Sequence, residues 1–216
     1  MCNTLQVRWT IIPKIAPQPW ITCSGCGGLR AFRSSGKIRL NANGRKLDAW
    51  LIYKCTSCDR TWNRTIFERQ NVRDIDSATL EALQSNDPDW IRAQTFNVEA
   101  LRRKSQRIDE FAEFEVRKEL LREIPDWKHL EIEFSISFPT SARLDRLLAS
   151  ELRVSRSRLS ALHEAGLLKT KPDRADILRR RIRNGVRVTV DLSDLGDREL
   201  VWKPLAVGHG NHSSHD

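Results

Sequence analysis

Two Cys-x-x-Cys pairs, Cys23/Cys26 and Cys55/Cys58, stand 28 residues apart and hold four of the five cysteines in the 216-residue chain. Thiolates three positions apart on a tight turn reach one ion, and a second pair completes a tetrahedral shell. A shell closed by four sulfurs keeps no position open for substrate, so an ion held this way is structural. Gly25, Gly27 and Gly28 relieve Cβ crowding in the first turn, and Thr56 and Ser57 are small, turn-compatible residues in the second. Between the pairs, Lys37 to Leu40 alternate polar and apolar, Asn43-Gly44 signals a hairpin, and Ala49 to Tyr53 reads as the return strand. Thr61 to Ile66 adds a third strand. The expectation is a zinc ribbon with structural Zn2+ at Cys23, Cys26, Cys55 and Cys58. Its sheet is small, so metal binding is expected to supply most of its stability, on the order of 10 kcal/mol. Two disulfides, or an iron–sulfur or redox centre, use the same cysteines. Cys2 reads as a bystander.

The net charge of +9 is unevenly spread. Residues 1–70 carry 12 Lys and Arg against 3 Asp and Glu, and residues 140–190 carry 13 against 5. The stretch 71–139 between them is acidic, with 10 against 15. Basic surface at both ends favours a polyanionic partner, nucleic acid first. A generally basic surface balanced by an acidic segment fits the same totals. No apolar run approaches the roughly 18 residues of a membrane span, and prolines at 13, 17 and 19 interrupt any leader-like core. The expected location is the cytoplasm, with no membrane partner.

Residues 5–12 read as a strand. Asp76 caps a helix over 78–84, Asp87-Pro88 starts another over 89–94, and Asn97 caps a long helix from Val98 to about Glu123. Leu101, Ile108, Phe111, Ala112, Val116, Leu120 and Leu121 give that helix a broad apolar stripe. Residues 131–138 alternate strictly, with Ile132, Phe134, Ile136 and Phe138 on one face, as in a half-buried strand. Pro139-Thr140-Ser141 reads as a linker. The tail from Gly208 is polar and glycine-rich, expected to be disordered, and carries three histidines.

Beyond the linker, Leu144, Leu147, Leu148 and Leu152 mark an amphipathic helix. Ser155 caps a second with Leu159, Leu162 and His163 inward, Gly166 ends it, and strands follow at Leu167-Leu168 and Val186–Val190. His163 reads as a packing residue. This lobe resembles the alpha-L RNA-binding domain of a small-subunit ribosomal protein and of RNA-modifying and ribosome-rescue proteins. The matching residues are Arg143-Leu144-Asp145, Leu148, Ser155-Arg156, Gly166 and the turn and strand from Gly185 to Val190. The resemblance implies that Arg143, Arg146, Arg156, Arg158 and Lys169 meet phosphates of structured RNA. It departs at Lys169-Thr170-Lys171, where the family usually has Val-Asn-Gly, at a basic insert from Asp173 to Arg183, and at Val186 in place of an aspartate. Arg179, Arg180, Arg181 and Arg183 in the insert, with Lys171, would extend the phosphate clamp, since guanidinium forks bind phosphate bidentately. A solvated turn accounts for the same run.

The paired cysteines, Leu40 to Gly44 and Thr61-Trp62-Asn63 also resemble a bacterial family known only as domain-of-unknown-function family 1062, a likeness that implies no activity. The expected fold is α+β: a zinc ribbon over 1–70, a helical segment with a connecting strand over 71–139, an alpha-L-like α/β lobe over 140–192, and a tail over 193–216. No nucleotide-binding loop, hydrolase elbow or metalloprotease motif is present, so the chain reads as non-enzymatic. The expected partner is structured ribosomal or transfer RNA. In the ribbon, Arg33, Lys37, Arg39, Arg45 and Lys46 would give a second contact, and Trp50 and Trp62 would either stack on bases or fill the core. The alternative is a module whose ribbon and acidic helix dock a protein partner.

Overall fold

In the computed structural model, residues 3–194 and 198–208 are described, and their elements run in the following order. The first half holds β1 (Thr4–Pro13), β2 (Gln18–Cys23), β3 (Gly28–Asn43), β4 (Lys46–Cys55), β5 (Thr61–Asn71), α1 (Ser77–Ser85), α2 (Pro88–Thr95), α3 (Val98–Arg102) and β6 (Arg107–Asp109). The second holds β7 (Phe114–Arg122), β8 (His129–Ile136), α4 (Leu144–Glu151), α5 (Arg156–Glu164), β9 (Leu168–Lys171), β10 (Arg187–Asp191) and α6 (Lys203–Val207). Cys2 and the tail histidines His209, His212 and His215 lie outside the described residues. No described helix is long and apolar enough to cross a membrane.

The mixed α+β chain divides into two units, one of residues 15–111 and the other of residues 1–14 with 112–216. In the continuous unit the strand order is β5-β4-β3-β2-β6, antiparallel throughout. Gly44 opens the β3–β4 turn at φ +59°, the left-handed value that two-residue hairpin turns need. The paired loop residues are Gly44-Arg45, one position beyond the expected Asn43-Gly44. On β4, Leu47, Ala49, Leu51, Tyr53 and Cys55 are buried, and the residues between them face outward. The buried side meets Phe32, Ile91 of α2 and Leu101 of α3, so the helices after the ribbon complete its core.

Arg64 joins these layers. It is 3% exposed on the inward face of β5 and donates to the Gln94 carbonyl at the end of α2, 2.7 Å away. It also donates to the Tyr53 hydroxyl at 3.4 Å. A buried cation is tolerated there because carbonyls at a helix C-terminus carry partial negative charge. Burial pushes the Tyr53 phenol upward, and the neighbouring Arg64 pulls it back.

The second unit has a mixed sheet ordered β7-β1-β8-β10-β9, in which only the β1–β8 pair is parallel. Leu5, Val7, Trp9 and Ile11 of β1, with Leu130, Ile132 and Phe134 of β8, form one fully buried face. The leucines of α4 and Leu159 of α5 close over it. Residues 198–207, within the segment expected to be a tail, are helical, and Trp202 and Ala206 pack into this core. The Trp9 indole donates to the Ala206 carbonyl at 2.8 Å.

Helix starts follow side-chain chemistry. Asp76, Asp87, Asn97 and Ser155 each accept from the N–H three residues on, at 3.0, 2.6, 3.0 and 3.1 Å. The long helix expected from Asn97 to Glu123 does not form. α3 stops at Arg102, and Phe114–Arg122 is a strand on the edge of β1. The sequence EFEVRKEL is rich in helix formers, but Phe114, Val116, Lys118 and Leu120 also alternate, and this row faces the inner row of β1. Lys118 hides the alternation because it is charged. Its amine lies 4.7 Å from the Trp9 ring centroid and 2.7 Å from both the Leu205 carbonyl and the Glu151 carboxylate. The boundaries expected near 70 and 139 give way to ones near 14 and 111, because the helical segment packs on the ribbon and β1 pairs with β7 and β8.

Arg64→Ala removes the guanidinium donor to the Tyr53 hydroxyl and leaves the Gln94 carbonyl with the longer contact from the Asn97 N–H, at 3.3 Å. The expected cost is about 2–3 kcal/mol, read as a lowered urea midpoint, with Arg64→Lys recovering part of it.

Candidate metal centre and basic surfaces

The two knuckles are built alike. Cys23 ends β2 and Cys55 ends β4, and each carbonyl accepts from the N–H four residues on, Gly27 at 2.9 Å and Asp59 at 3.0 Å. Gly27 and Asp59 both take the left-handed conformation, at φ +69° and +55°. Gly25 has a different role: a Cβ there would sit 3.2 Å from the Cys58 sulfur.

All four sulfurs lie within 4.8 Å of one another, with Cys23–Cys58 at 3.5 Å and Cys26–Cys55 at 3.9 Å. The edge of a tetrahedron with metal–sulfur bonds of 2.3 Å is about 3.8 Å, so the cluster fits one four-coordinate ion. The donors are all soft sulfurs, with Cys23 and Cys55 buried and Cys58 exposed. Without an ion the thiols share their protons unequally. Burial raises Cys23, but N–H donors from Cys26 and Gly25 and the Cys58 and Cys55 thiols outweigh it and bring the group to about 6. The Cys58 contact, burial and the thiolate of Cys23 push Cys26 to about 12. A bound ion displaces those protons.

Beside this centre, the outward face of the ribbon is basic. Arg33 pairs with Lys54, Lys37 with Ile52 and Arg39 with Trp50 in adjoining outward rows. Arg33, Lys37, Arg39 and Lys54 line an open hollow of about 750 Å³. Trp50 and Trp62, equivalent by sequence, are separated by the fold. Trp62 lies inward, 5.3 Å from Tyr53 and 6.3 Å from Phe32, whereas Trp50 faces outward with the Arg39 guanidinium 5.9 Å from its ring centroid. Arg45 and Lys46 sit at the hairpin tip, away from this hollow.

In the other unit, Arg143, Arg156 and Arg179 converge on a groove of about 760 Å³ together with Asp145, His163, Glu164 and Asp176. Asp145 is buried. It accepts from Arg143 Nε and Nη2 at 3.1 and 2.6 Å and from the Arg146 N–H at 2.8 Å, with Arg156 3.8 Å away. His163 contacts the Leu168 carbonyl through Nδ1 at 3.0 Å.

The remaining basic candidates do not share that groove. Arg146 is exposed on α4, and Arg158 lies over the Trp202 ring at 6.0 Å. Lys169 and Lys171 point to the side of β9 opposite the buried Leu168 and Thr170. The insert is not a solvated turn, because Ile177, Leu178 and Ile182 are buried in the core. Its arginines diverge as a result. Arg179 enters the groove, Arg180 pairs with Asp176 at 2.7 Å, and Arg181 and Arg183 line a separate hollow beside residues 136–140. The sequence did not single out Lys54, and it marked Asp145 only as part of a matching run, without a role. The first was legible from strand alternation, being one residue from Cys55 and so on the opposite face.

Residues 40–174 match the family described as Protein of unknown function (DUF1062). The chain belongs to that family. No curated protein and no solved structure gives a match. The DUF1062 segment takes in Cys55 and Cys58, Arg64 and the Arg143–Asp145–Arg156 cluster, and leaves Cys23, Cys26, Arg33 and the Arg179–Arg183 run outside it.

Two outcomes test the centre. Cobalt(II) titrated into the metal-free protein should give the absorption of a tetrahedral thiolate complex. Its affinity should fall as pH falls, because binding must expel the proton held by Cys26. Gly25→Ala should weaken retention against a chelator by about tenfold, the range in which supporting shells act, while Gly28→Ala should leave it unchanged.

Proposed function

We propose that this DUF1062 member is a non-enzymatic, cytoplasmic, zinc-containing RNA-binding protein that contacts structured ribosomal or transfer RNA. The observation carrying the reading is the arginine groove of Arg143, Arg156 and Arg179, set across α4, α5 and the insert next to β9. The order α4, α5, β9, β10 is the one the alpha-L resemblance leads one to expect, with Ser155 capping α5 and Gly166 beyond it at φ +73°. In this reading Asp145 is a positioning residue. It holds the Arg143 fork by two hydrogen bonds, and the remaining guanidinium protons of Arg143, with Arg156 and Arg179, meet phosphates along a groove. Zinc is the ion assigned to the four sulfurs, since a closed tetrahedral thiolate shell suits a redox-inert d10 cation that holds a fold together.

The alternative, a docking module for a protein partner, loses the single acidic helix it relied on, because that helix is replaced by α3, β6 and β7. Binding of labelled RNA hairpins across a salt series tests the main reading. The expected result is affinity that falls steeply with salt, and about a tenfold loss in Arg156→Glu/Arg179→Glu with a shallower salt slope by about one unit per lost phosphate contact. Full affinity in that folded variant would remove the groove from the account.

A further inference from the structure

We infer that the outward face of β3–β4–β5 is a second, separate binding surface, and that its occupant is an unpaired RNA segment with a base stacked on Trp50. The inference rests on the RNA-binding reading above but uses none of the groove residues.

The face is shaped by a bulge in β3. Pairing runs Ser34 with Tyr53 and then Lys37 with Ile52, so residues 35 and 36 leave the ladder. In an unbroken strand, Lys37 would stand two outward rows from Arg33. The bulge brings it to the next row, and three successive rows then read Arg33/Lys54, Lys37/Ile52 and Arg39/Trp50. Side chains on one face recur about every 6.8 Å, the scale of one unstacked nucleotide. The bulge is firmly held. Ser35 Oγ donates to the Ile52 carbonyl at 2.8 Å, Asn86 accepts from the Ile38 N–H at 2.8 Å, and Gly36 takes φ +68°.

The charge arrangement points to an anion. Arg33 and Lys54 are directly opposite each other, and like charges so placed destabilise a sheet. Among the described residues Asp59 pairs with this row, 3.3 Å from Arg33, and both side chains of the pair are more than 60% exposed and so weakly coupled. A polyanion lying along the rows neutralises Arg33, Lys37, Arg39 and Lys54 together.

Trp50 selects among polyanions. A half-buried indole beside a guanidinium, on a sheet face of cationic and uncharged polar side chains with Ile52, offers a stacking platform to a base whose faces are free. Duplex RNA hides those faces within its own stack, so the surface suits unpaired nucleotides, whereas the groove of the other unit suits a folded backbone.

The test uses the full chain with its metal content verified, a fluorescein-labelled twelve-residue oligouridine, and an RNA hairpin. Trp50→Ala and Arg39→Glu/Lys54→Glu should each lower oligouridine affinity about tenfold or more and leave hairpin affinity within twofold. Arg156→Glu/Arg179→Glu should do the reverse. Unchanged oligouridine binding by the folded ribbon variants, or none by wild type at low salt, would overturn the inference. Loss of hairpin binding alone would count only against the groove reading. Equal competition by polyglutamate would overturn the inference in favour of an acidic protein partner. Tighter binding of the matched DNA strand by tenfold would overturn the choice of RNA.

Discussion

The placement of Cys55 on the inward side of β4 fixes most of what the ribbon presents. A strand alternates, so once the cysteine must turn toward Cys23 and Cys26, Tyr53, Leu51 and Ala49 are carried inward with it. Lys54, Ile52 and Trp50 are carried outward by the same parity. The core against α2 and α3 and the basic face are therefore two sides of one constraint. A register slip of one residue would unmake the metal centre, the aromatic packing of Tyr53 and Trp62 and the cationic rows together. Arg64 applies the same discipline from β5, because its position opposite Leu51 aims it at the end of α2.

What could be read from the sequence was what is local. The knuckles, the capping residues Asp76, Asp87, Asn97 and Ser155, and the alternation of β8 each depend on neighbours a few positions away, and each is found, although β8 runs His129–Ile136 rather than 131–138 and ends short of Phe138. The segment after Asn97 failed for a physical reason. Its residues favour helix, but a free edge on β1 and an inward Lys118 with a carbonyl, a carboxylate and an indole around it make strand the better state. Neither partner was visible from within the segment. The insert misled in the opposite way: its arginines read as a solvated run, while Ile177, Leu178 and Ile182 anchor it and turn those arginines in three directions.

Composition likewise showed two basic regions but not their character. The groove lined by Arg143, Arg156 and Arg179 contains as many carboxylates as arginines, and a buried Asp145 dictates the attitude of its nearest guanidinium. The ribbon face has four cations and a bulge that crowds them. The first is a shaped and internally balanced surface, the second an excess of charge beside one half-buried indole. Closely similar totals of lysine and arginine conceal that difference, which arises only when register and burial are known.

β1 lies in the middle of its sheet, between β7 and β8, yet both neighbours follow it by more than a hundred residues. During synthesis the strand leaves the ribosome ahead of residues 15–111, and all of these emerge before β7 or β8 can pair with it. The continuous unit can thus close around its four cysteines while Leu5, Val7, Trp9 and Ile11 still lack their partners. An apolar strand held open for that interval is the point at which a nascent chain of this design is most exposed to mispairing and most in need of a chaperone's cover.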